Sequence, residues 1–372
     1  MANQTKKLRQ VNFEILRICA MAFVVVLHFF SKGELLTSVV DEFTLSSHMV
    51  WFVEAFVIVA VNSYVILTGY FMCTARFHAS KIITLVLQTM FYTTIVPVCL
   101  VFLGVIEPVG IDLYTLLQAL IPIHMQQYWF ISTYILLLLL SPILNRAITA
   151  FNQKQLGAVT MILLIYESVV KSLLPVKLTE DTYGYGIVWF LVLYLTAAYI
   201  RLYGLAWFSS LKKSMMIYTI SAVVIYVVMI IIRFIYLTFD ILGDSIGYSY
   251  HYNFIVNYVA SIAFFYIFYY MKVKEGLLTS IIRWISPYVL GIYLFHEQIY
   301  VRYVWPSWIL IEHATSPLSI LAIMFCAIFS MMALGVFIDY VRSNMFKFIG
   351  KILHVTTIPK WITVLDDFVN GV

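Results

Sequence analysis

Apolar positions in this chain come in ten runs of roughly twenty residues, separated by short stretches rich in charge, Gly, Pro and Asn. They fall at about 12–31, 48–72, 82–104, 128–145, 156–174, 187–206, 214–238, 252–271, 286–303 and 317–340. A helix of that length crosses a hydrocarbon core of about 30 Å, so the pattern predicts an all-α integral membrane protein with about ten transmembrane helices. Residues 113–127 are too short, and too polar at their end, to span. They read as an interfacial or re-entrant piece leading into Trp129.

Charge placement orients the runs. With the N-terminus inside, all but six of the 23 Lys and Arg fall in inner segments, the exceptions being Arg17 and Arg233 within runs and Lys32, Lys171, Lys177 and Arg302 toward the outer face. Acidic residues do the reverse: Glu34, Asp41, Glu42, Glu107, Asp112, Glu180, Asp181, Asp240, Asp244 and Glu312 all fall outside. Both termini are therefore expected in the cytoplasm. The first run lacks a small-residue cleavage site and carries Glu14 and Arg17, so it is expected to remain as a helix.

Composition narrows the picture. The chain is 63% hydrophobic and 11% charged, and its net charge of +5 follows from the inner-loop cations, so no nucleic-acid partner is expected. Cys19, Cys73, Cys99 and Cys326 are far apart and form no CxxC pair. No zinc spacing, Walker motif or GxGxxG occurs, and no metal is expected. No outer loop is long enough for a soluble domain. Residues 1–345 are read as one transmembrane domain and 346–372 as a cytoplasmic basic tail lying along the membrane surface.

Chemistry concentrates in the first run. Ionisable groups inside a span are expensive and point to function. Arg17 and His28 are eleven residues apart, which on a helix is about 20° in azimuth and about 16.5 Å along the axis, so both look down one side. A guanidinium holds phosphate through paired hydrogen bonds, and an imidazole suits base work near neutrality. Arg17 is thus the candidate grip on a nucleotide-bearing donor, with Arg76 and Lys81 of the first inner loop extending it. His28 and Glu14 are the candidate catalytic groups, Glu14 also standing three residues from Arg17 and able to pair with it.

Further candidates line other runs. Glu54 and Asn62 lie in the second run, where Ser63, Thr68 and Gly69 read as helix-packing residues. Tyr293, His296 and Tyr300 share a face of the ninth run, followed by Glu297. Glu54, Asn62, Trp129 and His296 are the candidate substrate contacts, and Glu54 is also a candidate to orient His28. Arg233 and Glu167 are buried charges that need partners. Gly243-Asp244-Ser245-Ile246 imitates an esterase nucleophile motif, but its short outer loop lacks the strand-to-helix turn that motif requires.

Phe13-Glu14-Ile15-Leu16-Arg17 followed by His28 resembles the Arg-x10-His first-helix motif of the acyltransferase 3 family of integral membrane acyltransferases. Asn62 to Tyr70, Tyr128-Trp129-Phe130 with Ser141-Pro142 and Asn145, Trp189 to Tyr194, and Ser286 to His296 extend the resemblance over most of the chain. It implies transfer of an acyl group, usually acetyl from acetyl-CoA, to a hydroxyl of a cell-surface polysaccharide such as capsule, or of its lipid-linked precursor. It places His28 and Arg17 on the family's essential histidine and arginine. Acetyl-CoA would be a co-substrate with no cofactor held permanently, and the partners would be a glycan or lipid-linked glycan acceptor and membrane lipid. The implied location is the bacterial cytoplasmic membrane. Some relatives carry an acid after a serine near the Trp-Phe segment, where this chain has Ser132-Thr133-Tyr134, so no role passes to that position. Two rival readings stand beside it: a secondary transporter or polysaccharide flippase that uses the same buried charges as an ion path, and a multi-span glycan polymerase. The first lacks a visible internal repeat, the second a long outer loop.

Overall fold

A computed structural model describes residues 10–36, 43–108, 110, 112–174, 181–353 and 358–371. Lys6, Lys7, Arg9, Asp41, Glu42, Lys177 and Glu180, used above to orient the chain, lie outside the described residues. In chain order the helices are α1 (Val11–Lys32), α2 (Leu45–Val57), α3 (Ala60–Met72), α4 (Ala79–Phe102), α5 (Leu113–Leu120), α6 (Trp129–Ala150), α7 (Gln153–Leu164) and α8 (Val170–Leu173). They continue with α9 (Ile187–Tyr203), α10 (Leu211–Phe239), α11 (Ile255–Tyr270), α12 (Leu277–Ile285), α13 (Val289–His296), α14 (Trp305–Trp308), α15 (Pro317–Ile352) and α16 (Lys360–Asn370). Among the described residues there is no strand.

Among the described residues, nine helical stretches are long and apolar enough to cross a membrane, and α9, of 17 residues, is a shorter apolar helix. Together they match the ten runs. With no water in the bilayer core, a helix satisfies its backbone groups internally, which is why apolar runs of this length become helices. The bundle packs α1 against α2, α3, α11, α13 and α15. The helix carrying the ionisable stripe is therefore enclosed.

Several spans depart from a straight helix. The second run breaks at Ile58 and Val59 into α2 and α3. The fifth contains a π-helical turn at Ile165–Val169, where Glu167 and Asp181 converge on the Lys171 ammonium at 3.1 and 3.2 Å. That supplies the partner expected for Glu167. Arg233 lies over the Trp51 ring, 4.1 Å from its centroid. The ninth run starts earlier than its pattern suggested: α12, a 3-10 turn at Ser286–Tyr288 and α13 make one continuous stretch, Leu277–His296. Pro287 sits at the start of that turn, where a missing N–H costs least. The helix then ends after His296, so Glu297 and Gln298 belong to the turn beyond it.

Two glycines fix where α13 lies. A Cβ on Gly335 of α15 would fall on the Ile292 backbone, and one on Gly291 would collide with Asp339 and the Tyr92 hydroxyl. Gly335→Leu is expected to push α13 off α15 and destabilise the protein by about 1–3 kcal/mol, the usual overpacking cost. A lower melting temperature by tryptophan fluorescence, with Gly335→Ala less affected, checks this.

The last helices depart from a simple tail. α15 runs unbroken through residue 345 to Ile352. α16 is pinned to the start of α4, where the Ala79 N–H donates to Asp366 Oδ1 (2.7 Å) and the Phe77 N–H to Asn370 Oδ1 (2.9 Å). Its opposite face exposes Trp361, Val364 and Phe368, the amphipathic pattern of a helix at a membrane surface.

Candidate active site

One unbroken helix carries the central groups. Because α1 runs from Val11 to Lys32 without a kink residue, the spacing of Arg17 and His28 survives in the fold. Arg17, Met21, Val24 and His28, stepping by four, three and four, line one cavity of about 230 Å³. Tyr64 and Thr68 of α3, Trp129, Phe130 and Tyr134 of α6, Tyr252, and Ser286 and Tyr293 close its walls. The cavity is mostly apolar between two polar ends.

At the first end, Arg17 Nη1 donates to Glu14 Oε1 at 2.6 Å. Glu14 is buried, while the Arg17 side chain keeps 34% of its surface open, so the pair presents a guanidinium steadied from behind. The Tyr64 hydroxyl donates to the Arg17 carbonyl (2.6 Å) and ties α3 to this point. Glu14 is fourteen residues from His28, about 21 Å along the helix. The geometry thus gives Glu14 contact with Arg17 and none with His28. Arg76 and Lys81 are exposed and do not line the cavity.

At the second end, His28 Nδ1 lies 2.8 Å from His296 Nε2, and His296 Nδ1 lies 2.6 Å from the Ile292 carbonyl. The carbonyl only accepts, so His296 Nδ1 carries the proton. With both rings neutral, His296 Nε2 then accepts from His28 Nδ1–H. One atom of His28 is left with a lone pair, Nε2, and His28 lines the cavity. Glu297 Oε1 stands 3.5 Å from the same Nδ1, and Arg302 Nη1 stands 3.9 Å from Glu297 Oε2. A carboxylate at that range favours an imidazolium once His28 takes a proton. The constellation is an imidazole with a lone pair on Nε2, a second ring that fixes its tautomer, and a nearby carboxylate, the parts that general-base chemistry uses.

The remaining candidates separate. Trp129 lines the cavity and packs on Tyr185, with ring centroids 4.4 Å apart. His296 is fully buried and meets His28 instead of the cavity, so the substrate contact expected of it gives way to a contact with the base. Asn62 is also fully buried: its Nδ2 donates to the Tyr252 carbonyl (2.9 Å), and its Oδ1 accepts from Trp189 Nε1–H (2.9 Å). Both ends of its amide are used in holding helices together, away from the cavity wall. Glu54 is buried at the end of α2 among Tyr185, Tyr250 and Tyr252, away from His28's hydrogen bonds. Two further wall residues, Tyr64 and Tyr134, have no individual signal in the sequence, Tyr64 standing there only as part of the Asn62 to Tyr70 stretch. Among the described residues, no group of three His, Cys, Asp or Glu side chains is placed to hold a metal ion.

Comparison with known proteins adds one decisive finding. No curated protein and no solved structure matches the chain. The family model of acyltransferase 3, described as an acyltransferase domain, matches residues 10–340, a span that contains Arg17, His28, Trp129 and His296. The chain is a multi-pass membrane protein and belongs to the acyltransferase 3 family.

Proposed function

We propose that this protein is an O-acetyltransferase of the bacterial cytoplasmic membrane, moving acetyl from acetyl-CoA to a hydroxyl of a cell-surface polysaccharide or its lipid-linked precursor. The observation that supports the reading best is one cavity lined by both Arg17 and His28. About 16.5 Å of helix separates them, close to the reach of a pantetheine arm. In this reading the Arg17 end faces the cytosol. The nucleotide phosphates rest on Arg17 at the mouth, with Arg76 and Lys81 adding positive charge nearby, and the thioester extends along the apolar walls to His28.

The acceptor oxygen attacks the thioester carbonyl as His28 Nε2 takes its proton. Collapse breaks the C–S bond, and the same proton passes from the imidazolium to the departing sulfur, giving the acetyl ester and free CoA. Glu14 acts by holding Arg17, while His296 and Glu297 act through His28, the first on its tautomer and the second on the charge it gains. Trp129 is proposed to meet the acceptor at the His28 end. Glu54 and Asn62 are given no contact with substrate.

Arg17→Ala is expected to weaken acetyl-CoA binding about tenfold to a hundredfold, the scale of one or two lost hydrogen bonds to a charged phosphate. Titration calorimetry on purified protein reads this. Unchanged affinity would remove Arg17 from the donor site.

A further inference from the structure

A second hollow, of about 400 Å³, lies between α4 and α5. Pro97, Val98, Val101, Leu116, Ala119 and Leu120 make it apolar. Val98 is 67% exposed, and Leu116 and Leu120 nearly half, so it opens sideways among surfaces that face lipid in a membrane-spanning bundle. α5 has no buried residue and is set by its ends: Asp112 Oδ1 accepts from the Thr115 N–H (2.7 Å), and Thr93 Oγ1 donates to the Ala119 carbonyl (2.7 Å). That backbone hydrogen bond from Thr115 also holds the Asp112 carboxyl below the usual carboxylate range.

The polar lining is specific. Gln127 is more than nine-tenths buried, lines the hollow, and its Oε1 has no hydrogen-bond partner among the described residues. Pro97 has no N–H to give the Thr93 carbonyl one turn back, and Thr93 lines the same space. Two acceptors beside a hydrocarbon-lined groove call for a ligand with a long chain and a head that donates O–H. The polar end also adjoins the His28 constellation, since Arg302 Nη2 donates to the Gln127 carbonyl (2.9 Å) and Arg302 is beside Glu297.

We propose that this groove is a lateral binding site for a long-chain lipid with a hydroxyl-bearing head, entering from the bilayer and placing that head toward Arg302, Glu297 and His28. That the lipid is the acceptor rests on the acyl-transfer reading. That the groove binds it does not. A choline phospholipid, whose head has no donor, matches the chain but not Gln127.

The test uses the full chain in phosphatidylcholine nanodiscs and a long-chain alkyl glucoside with a diazirine in its chain. Saturable photolabelling within 93–101 and 115–120 is expected, displaced by unlabelled alkyl glucoside and poorly by the same chain with a choline head. Gln127→Leu is expected to lower affinity for the glucoside about tenfold. Ala119→Trp, and independently the lipid-exposed Val98→Trp, should abolish labelling while acetyl-CoA binding stays at the wild-type value. Labelling that does not saturate, spreads evenly over the outer helices, ignores the head, or persists in both Trp variants would overturn the site. No acetyl transfer from acetyl-CoA to the glucoside, with saturable labelling intact, would instead overturn the transfer reading and leave the groove standing.

Discussion

Replacing His28 with alanine is expected to slow acyl transfer about a hundredfold to ten-thousandfold, the usual contribution of a positioned base, while acetyl-CoA still binds at the Arg17 end. In the proposed reading the separation follows from the cavity: Arg17 and His28 line it eleven residues apart on one helix face, the first for the donor's charged part and the second for its reacting carbonyl. The neighbouring ring offers a sharper check. His296→Leu removes the acceptor for His28 Nδ1–H and frees the ring to adopt the other tautomer, in which Nε2 bears hydrogen and is no base. His296→Gln keeps an acceptor there and should restore much of the rate. Nitrogen-15 spectra of labelled histidine should show His28 protonated at Nδ1 in the wild type and in His296→Gln, and mixed in His296→Leu. A merely structural role for His296 would leave that signature unmoved. Equal rates for wild type and His28→Ala, each measured with acetyl-CoA and at matched protein, would contradict the assignment of the base.

The second large effect is on stability. Asp339 is fully buried and accepts four hydrogen bonds from side chains of two helices: Gln88 Nε2 (2.8 Å) and the Tyr92 hydroxyl (3.2 Å) from α4, and Arg342 Nε and Nη2 (2.7 and 3.0 Å) from α15 itself. Asp339→Ala leaves the buried Arg342 guanidinium without its counter-charge. Breaking such a pair by deleting one partner costs about 3–5 kcal/mol. Asp339 also stands against Gly291, so its loss loosens the seat of the helix that carries His296. Thermal unfolding followed by tryptophan fluorescence should show a large fall in melting temperature for Asp339→Ala and a smaller one for Asp339→Asn, which keeps the shape and an acceptor. A variant as stable as the wild type would mean that the cluster holds nothing together.

Much of this architecture is legible in the sequence because hydrocarbon imposes a simple rule: spans must be apolar, helical and about twenty residues long. The ten runs show this, as does the shared face of Arg17 and His28, which needs only the period of a helix. What the pattern does not carry is pairing between helices far apart in the chain. His296 reads as a substrate contact because an unbroken helix would put it on one face with Tyr293 and Tyr300; the helix ends at His296, leaving Tyr300 in the turn beyond, and nothing in one sequence says that the His296 ring meets His28, 268 positions earlier. Asn62 reads as open for the same reason, though Trp189 and the Tyr252 backbone use both ends of its amide. Glu54, proposed to orient His28, lies among tyrosines instead. Asp339 is legible in principle, since it stands three residues before Arg342 on one helix face, but Arg342 counts first as a topology cation, which hides its partner. The groove beside α5 follows from residues 113–127 being too short to span, which the sequence shows. Its depth and the unpaired Gln127 do not.

Membership of the acyltransferase 3 family favours transfer over the transporter and flippase reading that the buried charges also allow, and over the polymerase reading. Donor and acceptor are the central claim. The most direct measurement is proton NMR of surface polysaccharides from a strain deleted for this protein and complemented with wild type, with His28→Ala or with empty vector, at matched membrane levels of the two proteins. The account predicts an O-acetyl signal restored by the wild type and absent with His28→Ala and the vector, on a sugar whose shifts name the acceptor. The same acetyl pattern in all three strains would contradict it.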